Sequence, residues 1–100
     1  MNAEIVAAQF RFAVNILPKD GILDPQGRAV EQSLPHLGLA GIGQVRVGRR
    51  VELAVDAPDA AAARGLVDEL ARELLCNPMI EQYAIEPLRA ISAARSGSGG

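Results

Sequence analysis

Three observations in this 100-residue sequence predict an α+β fold with a four-stranded antiparallel sheet and two helices on one face. Phe10, Phe12, Val14 and Ile16 alternate with Arg11, Ala13, Asn15 and Leu17, the period of two that marks a strand with one apolar face. Ala63, Leu66, Val67, Leu70, Ala71 and Leu74 recur at the helical period instead. The elements then run strand, helix, strand, strand, helix, strand, which is the βαββαβ order of the ferredoxin-like split unit. Right-handed crossovers make that order close into one sheet with both helices on the same side.

Each element follows from local chemistry. Pro18 ends the first strand, and Asp20-Gly21 supplies a turn. Asp24-Pro25 then starts a helix, because the carboxylate accepts from free backbone N–H groups and proline needs none at the first helical position. Val30, Leu34 and Leu37 fall at helical spacing; Pro35 should shorten or bend that helix, and Gly38 should close it. Val45 and Val47, followed by Val51, Leu53 and Val55, predict a hairpin. A three-residue loop, Gly48 to Arg50, pairs Val47 with Val51 and Val45 with Leu53 and keeps every aliphatic side chain on one face. Asp56 and Asp59 bracket Pro58 as the cap of the second helix, along which Asp68 and Arg72 are spaced for an exposed ion pair. Asn77-Pro78 stops it, and Met79 to Ile85 reads as the last strand, with Tyr83 and Ile85 inward.

The sheet's second face then carries Ala13, Asn15, Leu17, Arg46, Ala54, Gln82, Ala84 and Glu86. Such a mixture of small and polar residues serves either a partner protein or plain solvent. Residues 1–9 are expected as an N-terminal extension, 10–88 as the folded domain and 89–100 as a flexible tail ending in Ser96-Gly97-Ser98-Gly99-Gly100.

Composition excludes several functions. With 49% hydrophobic and 22% charged residues and a net charge of -2, the chain has the balance of a soluble domain and no broad basic surface for nucleic acid. The single cysteine, Cys76, permits neither an internal disulfide nor a cysteine cage for a metal. Without a signal-like start or a membrane-length apolar run, the expected location is cytoplasmic.

Catalytic chemistry is equally sparse. His36 is the only histidine and stands outside any acid or nucleophile motif. Cys76, at a helix end, reads as a small buried filler. Glu52, Glu81 and Glu86 form an acid pair only if the sheet joins them. Gly41, Gly43 and Gly48 lack the spacing, lysine and helix start of a phosphate loop. The strands offer no exposed aromatic platform for RNA. Two clusters resist a bland reading. Gly27 in the first turn of a helix costs roughly 1 kcal/mol against alanine. Arg46, Arg49 and Arg50 crowd one turn and need solvent, an anionic surface or a ligand.

In order and spacing, three segments together resemble the PurS family. They are Ile22-Leu23-Asp24-Pro25-Gln26-Gly27-Arg28-Ala29-Val30, Val45-Arg46-Val47-Gly48-Arg49, and Leu74-Leu75-Cys76-Asn77-Pro78-Met79-Ile80-Glu81-Gln82-Tyr83. Arg49 stands where that family often has lysine, Cys76 where alanine is common, and Pro35 interrupts the helix.

The resemblance implies a small subunit of phosphoribosylformylglycinamidine synthase, in purine biosynthesis, without a catalytic site of its own. Its implied partners are a glutaminase subunit, a large synthetase subunit and further copies of itself, as a homodimer or higher homo-oligomer. No cofactor is implied on this chain, while ATP and magnesium are expected on the synthetase, and the subunit could assist ammonia transfer. By the same analogy, Leu23, Asp24, Pro25, Gln26, Gly27, Arg46, Gly48, Arg49, Asn77 and Glu81 form the expected partner interface. The alternative from another class is a small-ligand, amino-acid-sensing domain or a generic interaction module on the same fold.

Overall fold

The computed structural model describes residues 8–89; the expected extension and tail lie, but for their innermost residues, outside them. The chain forms strand β1 (Ala8–Pro18), helix α1 (Pro25–Ser33), a short 3-10 turn (Pro35–Leu37) and strand β2 (Arg49–Ala57). Helix α2 (Ala60–Leu70), a π-helical turn (Ala71–Leu75) and strand β3 (Glu81–Leu88) complete it.

β1 is the centre. The sheet is antiparallel and three-stranded, in the order β2-β1-β3. Val14 faces Val51 on one side and Ile85 on the other, and Ile16 faces Arg49 and Tyr83. The side-chain parity read from the sequence therefore holds: Phe12, Val14 and Ile16 are buried, and Val51, Leu53, Val55, Tyr83 and Ile85 pack around them. α2 covers this face through Ala63, Val67 and Ala71, all fully buried. The small alanines let the helix axis approach the pleat closely.

The expected fourth strand is absent from the described sheet, and the predicted hairpin with its Gly48 to Arg50 loop does not form. Backbone satisfaction explains the difference. The Val45 N–H donates to the Glu31 carboxylate at 2.8 Å and the Val47 N–H to Asp24 at 2.9 Å, so side chains take the donors that a ladder would have used. A left-handed Gln44, φ 56°, just before this segment also breaks the extended run. Arg49 then enters β2 directly and pairs with β1.

Helix packing is corrected as well. α1 packs against no strand to any substantial degree, so only α2 lies on the sheet. Its ends match the sequence reading: the Asp24 cap accepts from the Gly27 N–H, Pro25 opens the helix, and left-handed Gly38 closes the 3-10 turn. The second helix was expected to continue through Leu74. It widens into a π-helical turn, with the Cys76 N–H reaching the Ala71 carbonyl at 2.9 Å, and Leu74 is turned outward. Met79 and Ile80 belong to a turn, and β3 starts at Glu81.

The second face of the sheet is an ion-pair lattice. Arg11 bonds Glu52 at 3.4 Å, and Arg50 bonds both Glu52 at 3.0 Å and Glu86 at 2.9 Å, while Asn15 joins Arg50 and Glu86. Ala13 is buried beneath it. Exposed pairs of this kind are screened by solvent and stabilise weakly, so the lattice fixes which face is polar more than it holds the fold. No helix among the described residues is long and apolar enough to cross a membrane.

Ile16, 1% exposed at the sheet centre, gives a direct check. Ile16→Ala should cost about 2–5 kcal/mol in urea unfolding with an unchanged slope; a cost near that of a surface substitution would contradict β1's central place.

Candidate functional site

Seven of the ten residues expected at a partner surface line one cleft, and Gly27, Arg46 and Asn77 do not. The cleft measures about 490 Å³ and is lined by Leu23, Asp24, Pro25, Gln26, Gly48, Arg49 and Glu81, with Pro18, Ile22, Val47 and Ile80. It forms where the end of β1, the start of α1, the entry to β2 and the start of β3 meet.

Asp24 organises one wall. One carboxylate oxygen caps α1 through the Gly27 N–H at 3.0 Å, and the other accepts the Val47 N–H at 2.9 Å. These two donors, Gly27 first and then Val47, hold the acid below its ordinary value of 3.8. The same contact explains Gly27, whose place in a helix looked costly. A Cβ there would collide with the Val45 carbonyl oxygen and the Asp24 carboxylate. Gly48 has the same role at the floor, where a Cβ would collide with the Ile16 carbonyl and Leu17. Both glycines permit close approach of backbone.

Arg49 and Glu81 make the opposite wall. The guanidinium bonds both carboxylate oxygens, at 2.7 and 3.0 Å, and reaches the Leu75 carbonyl at 2.7 Å. Glu81 also accepts the Asn77 N–H at 2.8 Å, and Asn77 turns back to accept from Met79 at 3.1 Å. Arg49, followed by the Asn77 N–H, lowers the Glu81 pKa, while the bonded Glu81 raises that of Arg49. Asn77 thus buttresses the cleft without lining it. Arg46 stands off to the side, paired with Asp20 at 2.9 Å.

The arginine cluster is thereby resolved. Arg46, Arg49 and Arg50 each meet a carboxylate of this chain: Asp20, Glu81 and Glu52 with Glu86. Sequence reasoning named Glu52, Glu81 and Glu86 without pairing them with the arginines, and it missed Glu31; Asp20, Glu81 and Glu86 lie 26, 32 and 36 residues from the arginines they meet, although Glu52 stands two from Arg50.

The cleft offers little for catalysis. Asp24 is occupied by backbone donors and Arg49 by Glu81, so no free charge pair faces in to hold an amino acid's ammonium and carboxylate. Cys76 is buried, and burial pushes its thiol pKa up, the opposite of an activated nucleophile. His36 is exposed on the 3-10 turn, apart from the cleft. Among the described residues, no three His, Cys, Asp or Glu side chains gather to hold a metal. The cleft combines exposed apolar side chains, Ile22, Leu23 and Ile80, with polar walls fixed by bonds within the chain.

Residues 11–89 match the family model PurS, described as phosphoribosylformylglycinamidine (FGAM) synthase. The chain belongs to the PurS family. It is 42% identical over 76 residues to the phosphoribosylformylglycinamidine synthase subunit PurS of Synechocystis sp., a match covering 76% of this chain and 74% of that one. It superposes on the crystal structure of the PurS subunit of Thermotoga maritima with a TM-score of 0.77 and 30% identity, over 82% of this chain and 94% of that chain. A chain in the structure of PurLQS from the same organism is similar at TM-score 0.76 and 30% identity, over 81% and 99%. The family match spans every residue lining the cleft.

Gly27→Ala tests the close approach. In a free helix it should add roughly 1 kcal/mol of stability; here it should lower the melting temperature, because the new Cβ displaces the Val45 carbonyl or breaks the Asp24 clamp. A raised melting temperature would show that the clamp is not closed in solution.

Proposed function

We infer that the chain is a non-catalytic joining subunit of phosphoribosylformylglycinamidine synthase in purine biosynthesis, seating a glutaminase subunit and a synthetase subunit around its cleft. The observation that carries this reading is the near full-length likeness to a chain of the Thermotoga maritima PurLQS structure. The chemistry belongs to the partners. The glutaminase hydrolyses glutamine and releases ammonia, and the synthetase, holding ATP and magnesium, activates the amide oxygen of formylglycinamide ribonucleotide. Ammonia then displaces that oxygen to give the amidine. The chain's own part is to bring the two active sites within reach, so that ammonia passes between them before escaping to solvent or being protonated.

The cleft suits that work physically. Its walls are fixed by bonds within the chain, so little side-chain entropy is lost when a partner docks. Its rim supplies apolar area, with Leu23 70% exposed. Self-association, as a homodimer or higher oligomer, belongs to the same reading. The complex works in the cytoplasm.

Leu23→Glu isolates docking from folding, since Leu23 is exposed and its side chain is remote from the buried core. The variant should melt as the wild type does but bind the glutaminase and synthetase subunits about tenfold or more weakly in a co-purification titration, a loss of about 1.4 kcal/mol or more. Unchanged binding would remove the cleft from the interface.

A further inference from the structure

A second cavity lies at the opposite end of the sheet from the cleft, where the start of β1, the first turns of α2 and the end of β3 meet. It measures about 390 Å³. Phe10 and Phe12 line it from β1, Pro87 and Leu88 from β3, and Ala60 and Arg64 from α2. Small-molecule sites start at roughly 300 Å³, and their usual lining is apolar and aromatic with a few polar groups that orient the ligand. Phe10 packs on the core cluster yet is only partly buried, and the rest of its surface borders this cavity.

The charge here is free, unlike those in the cleft. An arginine on a helix meets an acid one turn further on, and Asp68 stands four residues after Arg64. Both oxygens of Asp68 are already taken: the Tyr83 hydroxyl donates to one at 2.6 Å and Arg72 donates to the other at 3.1 Å. Arg64 is therefore left without a hydrogen-bond or ion-pair partner among the described residues. Arg11, the other cation that borders the cavity, is drawn to the polar face of the sheet by Glu52. One unpaired guanidinium thus stands beside an apolar recess walled by two phenylalanines.

We propose that this cavity is a binding site for a small aromatic carboxylate, with its ring against Phe10, Pro87 and Leu88 and its carboxylate on Arg64. The planar fork of a guanidinium matches both oxygens of a carboxylate, and such charge-assisted pairs are the stronger class of hydrogen bond. An aromatic body suits the recess because ring pairs add to simple area burial. The ligand would connect α2 to the start of β1 and the end of β3, and by mass action it would stabilise the folded chain. The site shares no residue with the cleft, so it stands independently of the joining role.

Titration of the full chain with 2-naphthoate, followed by amide shifts in nitrogen-15 spectra, tests this. Saturable shifts are expected at Phe10, Ala60, Arg64 and Leu88, and the neutral isostere 2-naphthamide should bind at least tenfold more weakly. Arg64→Gln removes no bond among the described residues, so its spectrum should remain dispersed. That variant should bind both compounds at the weaker affinity, and Arg64→Lys should recover part of the preference for the carboxylate. The absence of saturable shifts, shifts confined to the cleft at Asp24 and Gly48, or an Arg64→Gln variant that keeps the wild-type preference would each overturn the site. If Arg64→Gln loses its dispersed spectrum, the two compounds are compared on the wild type alone, and equal affinities overturn the proposal.

Discussion

The carboxylate of Asp24 is the point on which the arrangement of this chain turns. One side chain accepts two backbone donors separated by a whole helix and loop, Gly27 at the start of α1 and Val47 at the entry to β2. A carboxylate can do this because it has several lone pairs and, ionised, makes the stronger class of hydrogen bond. The consequences run in two directions. Locally, the helix start and the returning segment are locked together so closely that residue 27 cannot carry a side chain. Globally, the Val45 to Val47 segment is withheld from the sheet, and α1 is held as part of a separate lobe.

That division separates two kinds of surface. The cleft at the junction is polar on its walls, with its charges satisfied by partners in the same chain, Arg49 by Glu81 and Asp24 by main-chain N–H groups. Such groups are stiff and chemically quiet. Exposed apolar side chains also lie outside the cleft, among them Val30 on α1 and Leu66 on α2.

Much of this was legible in the residues. The alternation from Phe10 to Ile16 specifies one buried face, and the observed register obeys it. Asp24-Pro25, Pro35 and Gly38 mark helix ends by capping and backbone chemistry that need no tertiary context. Gly27 was visible as a conflict between propensity and position, and that conflict marked a close backbone contact beside the cleft. The three segments of family resemblance also pointed to residues that the fold brings together. The fourth strand was not legible correctly. Val45 and Val47 alternate in the same way whether their N–H groups meet a strand or a carboxylate, and the acids that claim them, Glu31 and Asp24, lie in a preceding helix and its cap. Likewise the apolar stripe identifies the second helix, yet Leu66 and Leu74 within it are exposed. Periodicity reports that a side chain is apolar, not that it is buried.

The central claim is that this polypeptide supplies a junction and no reacting group, and reconstitution tests it most directly. Amidine formation is measured with purified synthetase and glutaminase, ATP and magnesium, using first glutamine and then ammonium salt as the nitrogen source, with and without the chain. The account predicts that glutamine-dependent turnover requires the chain, that ammonium-dependent turnover by the synthetase persists without it, and that the chain alone converts nothing. Glutamine-dependent turnover that is equally fast in its absence would contradict the account.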